Sequence, residues 1–201
     1  MSNIKNIIFD FGGVLVDWDR AYLYRKEIKD EDELNYFLEN VCTFEWNLQQ
    51  DAGRTIVEAT ETLQKEFPQY KELIGYYYER WDEMLGGDIK ENVHVLEMLK
   101  QKYPIYGLTN WSSETISIAY DRFDFFDLME GIVVSGDEKL IKPDPKLYQI
   151  LLDRYDLKAE GSLFIDDNLD NIVAAKEMGF ETIHFTDETD LMKEVKDMGV
   201  L

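Results

Sequence analysis

The chain has 201 residues, 45% hydrophobic and 13% aromatic, enough to bury one good core and too apolar for a disordered polymer. Its 42 acidic residues against 21 basic give a net charge of −21, which argues against nucleic acid and anionic membrane surfaces as partners. The lone Cys42 excludes an internal disulfide and a cysteine-rich zinc site, and with no His near it in sequence it reads as a small buried residue. No leader-like segment precedes the first apolar run and no stretch approaches transmembrane length, so a cytoplasmic protein is expected.

Residues 4–9 form the first strand-like run, and Asp10 ends it beside Gly12 and Gly13. Residues 17–87 then read as helical throughout, with apolar spacing at Tyr36, Phe37, Val41 and Phe44, then at Ile56, Ala59, Leu63 and Phe67. An aromatic third helix carries Tyr76, Tyr77, Tyr78 and Trp81, and Gly86-Gly87 reads as a hinge. Four further strands follow at 105–108, 131–134, 163–165 and 182–185. Helices separate them, marked by Val93 to Tyr103, Ile116 to Tyr120, Leu147 to Tyr155 and Ile172 to Met178. Strands alternating with helices imply an α/β fold, a doubly wound parallel Rossmann-like sheet. The expected organisation is a core of residues 1–16 and 88–201, with 17–87 a helical cap inserted after the first strand.

Four short motifs fall at predicted strand ends, where open parallel sheets bind ligands. Asp10 would stand at that edge, although an Asp there also closes Asx turns. Leu108-Thr109-Asn110 offers a hydroxyl and an amide for phosphate oxygens, or simply a helix N-cap. Lys142-Pro143-Asp144-Pro145 holds a lysine on a rigid turn that leads into a helix, where it can deliver a fixed positive charge. Asp166-Asp167-Asn168 doubles a carboxylate where a cap needs only one, and paired carboxylates with open oxygen ligands suit Mg²⁺.

In this order the motifs Asp10-x-Gly12-Gly13-Val14, Leu108-Thr109-Asn110, Lys142-Pro143 and Asp166-Asp167-Asn168 resemble the haloacid dehalogenase-like hydrolase superfamily. The resemblance covers essentially the whole chain. It looks closest to the branch of bacterial α-glucose-1-phosphate phosphatases and the phosphatase domain of soluble epoxide hydrolases. It implies an Mg²⁺-dependent phosphatase acting on a small phosphorylated metabolite, such as a sugar phosphate. Asp10 would be the nucleophile that forms an aspartyl-phosphate. Thr109 and Asn110 would bind the phosphoryl group, and Lys142 would neutralise charge on it and on Asp10. Asp167 matches the metal-binding aspartate, with Asp166 and Asn171 around it and the Gly12 carbonyl as a further metal ligand.

One departure stands out. Most phosphatases of the superfamily carry a second Asp two residues after the nucleophile as general acid and base, and here that position is Gly12. Such proton transfer is worth ~10²–10⁴ in rate. Its absence argues against a phosphomutase and leaves Asp17 or Asp19 as conceivable relays. Two other readings stay open: a 2-haloacid dehalogenase, which needs no metal, and a degenerate protein that binds phosphate ligands without turnover. His94 and His184 read as structural. Trp18, Trp46, Trp81 and Trp111 either wall the site or pack the core, and Trp46 and Asn47 are expected to bear on substrate choice.

Overall fold

The structure, a computed structural model, describes residues 3–201, and Met1 and Ser2 of the expected core lie outside the described residues. The strands in chain order are β1 (Asn6–Phe9), β2 (Val16–Trp18), β3 (Leu85–Asp88), β4 (Ile105–Thr109), β5 (Gly131–Val134), β6 (Ser162–Asp166) and β7 (Glu181–His184). Five of them make a parallel sheet in the order β5-β4-β1-β6-β7. These are the expected strands, 131–134 with its expected bounds and the others within two residues of theirs at each end. β1 lies in the middle and the chain proceeds outward from it, first through β4 to β5 and then through β6 to β7. That reversal is a topological switch point, where side chains at the carboxyl ends of β1, β4 and β6 share one crevice.

Side-chain alternation along the strands divides the core into two layers. Ile7 and Phe9 of β1 face one layer with Leu163 and Ile165 of β6. Helices α6 (Lys90–Lys100), α7 (Ile116–Arg122) and α11 (Leu191–Asp197) cover it through Leu96, Leu99, Ile116, Leu191 and Val195. Ile8, Leu108 and Phe164 face the other layer, beneath α9 (Pro145–Arg154) and α10 (Leu169–Glu177). The short α8 (Ser135–Glu138) follows β5 directly. Each fully buried aliphatic or aromatic side chain contributes roughly 1.5–3 kcal/mol, so these two layers supply most of the stabilisation of the sheet.

Between β2 and β3 lie α1 (Ala21–Glu27), α2 (Glu31–Asn40), α3 (Phe44–Asp51), α4 (Ile56–Glu66) and α5 (Lys71–Glu79). The segment is therefore not helical throughout. Its two ends meet and pair antiparallel, Val16 opposite Asp88 and Asp17 opposite Gly87, because backbone groups brought together there need partners. Gly86-Gly87 lies within β3 rather than in a free hinge. The run from Tyr36 to Phe44 is likewise two helices: Val41 ends α2, and the Thr43 hydroxyl accepts from Trp46 N to start α3. Besides β2 and β3, the helices missed from sequence, α1, α8 and α11, span 7, 4 and 7 residues, too few turns for a clear period.

Phe11 leaves the sheet edge and lays its ring over Gly107 of β4, meeting Phe126 edge to face with centroids 4.9 Å apart. A Cβ at Gly107 would drive into the Phe11 ring. Gly107→Ala should therefore destabilise the fold by ~1–3 kcal/mol through overpacking, read as a lower urea midpoint at unchanged slope.

Candidate active site

Register brings the motifs together. Phe9 pairs with Gly107 on one side and Ile165 on the other, so Asp10 emerges between the ends of β4 and β6, its N–H donating to Ile165 O at 2.9 Å. Its Oδ1 accepts from Phe11 N at 2.7 Å and lies 2.9 Å from Lys142 Nζ, while Oδ2 has no hydrogen-bond partner among the described residues. The carboxylate is thus held by one oxygen and offers the other.

Lys142 has a side chain with 0% exposure, and its ammonium has three partners: Asp10, Asp166 Oδ2 at 2.7 Å and Leu108 O at 2.9 Å. Burial by itself would lower its pKa, but the Asp10 and Asp166 charges outweigh that and raise it, so it is a fixed cation. Asn110 secures the lysine backbone: its Oδ1 accepts from Lys142 N at 2.8 Å and its Nδ2 donates to Lys142 O at 3.0 Å. The expected phosphate-binding amide is therefore engaged in holding Lys142. Thr109 is buried at the end of β4.

The aspartate doublet divides in two. Asp166 is fully buried and accepts from Lys142, from Asn168 N at 2.8 Å and from Asn171 Nδ2 at 3.0 and 3.1 Å. Asp167 points the other way, open to the cavity and packed against Gly13, where a Cβ would strike its carboxylate. Gly13 also has φ +73, a conformation that favours glycine, whereas Gly12 has open space around a Cβ and no such φ. The cap of α10 is Asn168 rather than either aspartate, its Oδ1 accepting from Asp170 N and Asn171 N. His184 Nε2 lies 2.9 Å from Asp167 O.

Carboxylate oxygens of Asp10, Asp166 and Asp167 lie within 4.8 Å of one another. Burial first, then Asp166 and Asp167, push the Asp10 pKa up to about 8 against the opposing pull of Lys142. Partial burial and then Asp166 raise Asp167 as well. Three carboxylates against one ammonium leave a deficit of positive charge, and hard oxygen donors so arranged fit a divalent cation such as Mg²⁺.

These groups open onto a cavity of about 470 Å³. The core side supplies Asp10, Gly12, Asn110, Lys142 and Asp167, and the opposite wall comes from Trp18, Phe44, Asn47, Leu48, Asp51 and Trp81, with Trp111 at the join. Trp81 lies 5.7 Å from Trp18, 5.7 Å from Tyr78 in a stack and 6.4 Å from Trp111, ring centroid to centroid. Trp46 is absent from the wall and packs on Tyr77 and Tyr78 instead. Asp17 and Asp19 also stay out: the first accepts from Tyr22 OH and the second from Ala21 N. Cys42 is buried, and burial pushes its thiol up to about 12. Sequence reasoning passed over Asp51, which carries no strand-end signal and lies mid-insertion where acidic residues are common.

Residues 7–185 match the family of haloacid dehalogenase-like hydrolases, and the chain belongs to that family. It is 25% identical over 198 residues to a sesquiterpene phosphatase of Aspergillus oryzae, covering 98% of this chain and 97% of that protein. It is 26% identical over 215 residues to the D-ribitol-5-phosphate phosphatase of Bacteroides thetaiotaomicron, covering 96% and 97%. A haloacid dehalogenase family enzyme from the same bacterium, crystallised as an aspartate-to-alanine variant with magnesium and inorganic phosphate, shares the fold. The TM-score is 0.74 at 23% identity over 95% of this chain and 98% of that one.

Removing the ammonium would leave two buried carboxylates facing each other. Lys142→Met should therefore lower stability at neutral pH by ~3–5 kcal/mol, measured by urea unfolding, although the substituted side chain has nearly the same volume.

Proposed function

We propose that the protein is an Mg²⁺-dependent phosphatase that hydrolyses a small phosphorylated metabolite, such as a sugar phosphate, through an aspartyl-phosphate on Asp10. The observation that carries this reading is the Asp10 carboxylate on the cavity floor, one oxygen tied to Lys142 and the other without a partner. The curated relatives named above are phosphatases, and the neighbour of like fold holds magnesium and phosphate.

In this mechanism the free Asp10 oxygen attacks phosphorus as the ester oxygen departs, and water then cleaves the acyl-phosphate. Lys142 keeps Asp10 aimed and balances charge that builds on the phosphoryl oxygens. Thr109, at the end of β4, would bind a phosphoryl oxygen through its hydroxyl. Asp10, Asp167 and the Gly12 carbonyl would hold Mg²⁺, which when bound neutralises phosphoryl charge. Asp166, with its oxygens engaged by Lys142, Asn168 and Asn171, would orient the site around the ion. Residues 17–87 act as the cap over a core of 1–16 and 88–201, and the cap-side wall, including Asn47, selects the substrate body.

The dehalogenase reading fits less well, because displacement of halide by Asp10 has no use for the added charge of Asp167. Phosphate and halide release, each with and without Mg²⁺, separates the two. Phosphate release that requires Mg²⁺ is expected, and Asp10→Asn should abolish it while leaving the fold intact. Metal-independent halide release would replace the reading.

Asp167→Ala should weaken Mg²⁺ binding more than Asp166→Ala does, as followed by calorimetric titration. Asp166→Ala should instead lower thermal stability, since it strips a partner from buried Lys142 and from Asn171. The reverse ranking in metal affinity would transfer the direct ligand role to Asp166.

A further inference from the structure

The phosphatase reading leaves a proton unaccounted for, because Gly12 stands where a general acid would be. The carboxylates that line the cavity are Asp10, Asp51, Asp167 and Asp170. Asp10 and Asp167 belong to the charged floor, and Asp170 is exposed in the first turn of α10. Asp51 differs from all of these. It is the last residue of α3, buried to 6% exposure, and it faces the cavity from the insertion side.

Its placement is built on both sides of the cleft. The Ser135 hydroxyl donates to Asp51 O at 2.6 Å and accepts from Trp111 N at 2.9 Å, which docks the end of α3 onto the loop that follows Thr109 and Asn110. A directed chain of donors then runs to the side chain. Arg54 Nε donates to Gln50 Oε1, Gln50 Nε2 to Tyr78 OH, Tyr78 OH to Asn47 Oδ1, and Asn47 Nδ2 to Asp51 Oδ2 at 3.1 Å. One carboxyl oxygen is thereby fixed as an acceptor. A negative charge at the carboxyl end of a helix is electrostatically unfavourable, so the position favours the protonated carboxyl. Burial pushes its pKa up to about 7, against the opposing effect of the Ser112 backbone N–H. Like the phosphatase reading on which it rests, the following assignment concerns the cavity lined by Asp10.

We propose that Asp51 is the general acid and base of this site, supplied by the insertion in place of a residue at position 12. As Asp10 forms its bond to phosphorus and the P–O ester bond breaks, the Asp51 carboxyl gives its proton to the leaving oxygen, which departs as an alcohol. The Asp51 carboxylate then takes a proton from water as the water oxygen attacks phosphorus, releasing Asp10 and inorganic phosphate and restoring the acid. The sum is ester plus water to alcohol plus phosphate, with Asp10 and Asp51 regenerated.

The test compares p-nitrophenyl phosphate, phenyl phosphate and the best alkyl ester from a panel of sugar and polyol phosphates, all with Mg²⁺ present. Wild-type kcat/KM should depend weakly on leaving-group basicity. Asp51→Asn, shown folded by thermal unfolding, should lose ~10²–10⁴ in kcat/KM on the alkyl ester and little in kcat/KM on p-nitrophenyl phosphate, whose phenolate leaves without a proton. Gly12→Asp, whose Cβ would meet no atom within 4 Å, should bring no selective gain on the alkyl ester. Equal losses on every ester in Asp51→Asn, or no loss, would overturn the assignment and leave the phosphatase reading standing. Two outcomes that need no change at Asp51 would overturn it too: a steep wild-type dependence on leaving group, or a selective alkyl-ester gain in Gly12→Asp. Full activity in Asp10→Asn, or no hydrolysis of any ester by the wild type, would bring down the phosphatase reading and this assignment with it.

Discussion

A buried ammonium organises this protein. Lys142 Nζ meets Asp10, Asp166 and Leu108 O, which come from the ends of β1, β6 and β4. Taking an ammonium out of water costs several kcal/mol, and only partners with good geometry offset it. The three contacts therefore demand that the three central strands keep their register, since a slip by one residue would turn each side chain to the other face. Asn110 completes the constraint by holding the lysine backbone on both its donor and its acceptor. Structure and chemistry are inseparable here: the contact that ties the strand ends together also aims the Asp10 carboxylate.

The same arrangement leaves the cavity floor short of positive charge. Lys142 balances one of three carboxylates, and the raised pKa of Asp10 expresses the remainder. In the proposed reaction a divalent cation would relieve that imbalance and let the floor accept a phosphoryl group despite the strongly acidic composition. The net charge of −21 makes such a local inversion necessary for any phosphorylated ligand.

The two sides of the cavity have different physics. The core side is charged and tightly hydrogen-bonded. The insertion side is an aromatic wall in which Trp81 touches Trp18, Tyr78 and Trp111, and Asn47 and Asp51 bring an amide and a carboxyl into it. Apolar packing runs without a break from Ile7 and Phe9 under the sheet to Tyr24, Phe37 and Trp46 in the insertion. The insertion is therefore anchored by the same kind of burial that holds the sheet, and the polar chain from Arg54 to Asp51 rides on that frame.

The alternation of apolar strands and periodic helices was enough to determine the parallel sheet, because periods of 2 and 3.6 are local properties of the chain. Asp10 and the Asp166-Asp167 doublet were legible for a similar reason: they stand at the ends of β1 and β6, and strand ends in such sheets converge. Lys142, beyond α8, was marked instead by the Pro143 and Pro145 turn that carries it. What local pattern does not carry is partner choice across space. The doublet's division of roles, Asp166 inward to Lys142 and Asp167 outward to the cavity, depends on Asn168 capping α10 and on Gly13 lying against Asp167. The pairing of β2 with β3 depends on the two ends of a long insertion meeting, and three or four residues of strand leave little periodicity to read. Asn110 was read as a ligand for phosphate, and only the fold revealed that its amide is already bound to Lys142. Asp51 was one acidic residue among 42 until tertiary packing buried it at the end of α3, opposite the carboxylate that ends β1. Burial and long-range contact are properties of the folded chain, and at this site they decided which carboxylates face the ligand.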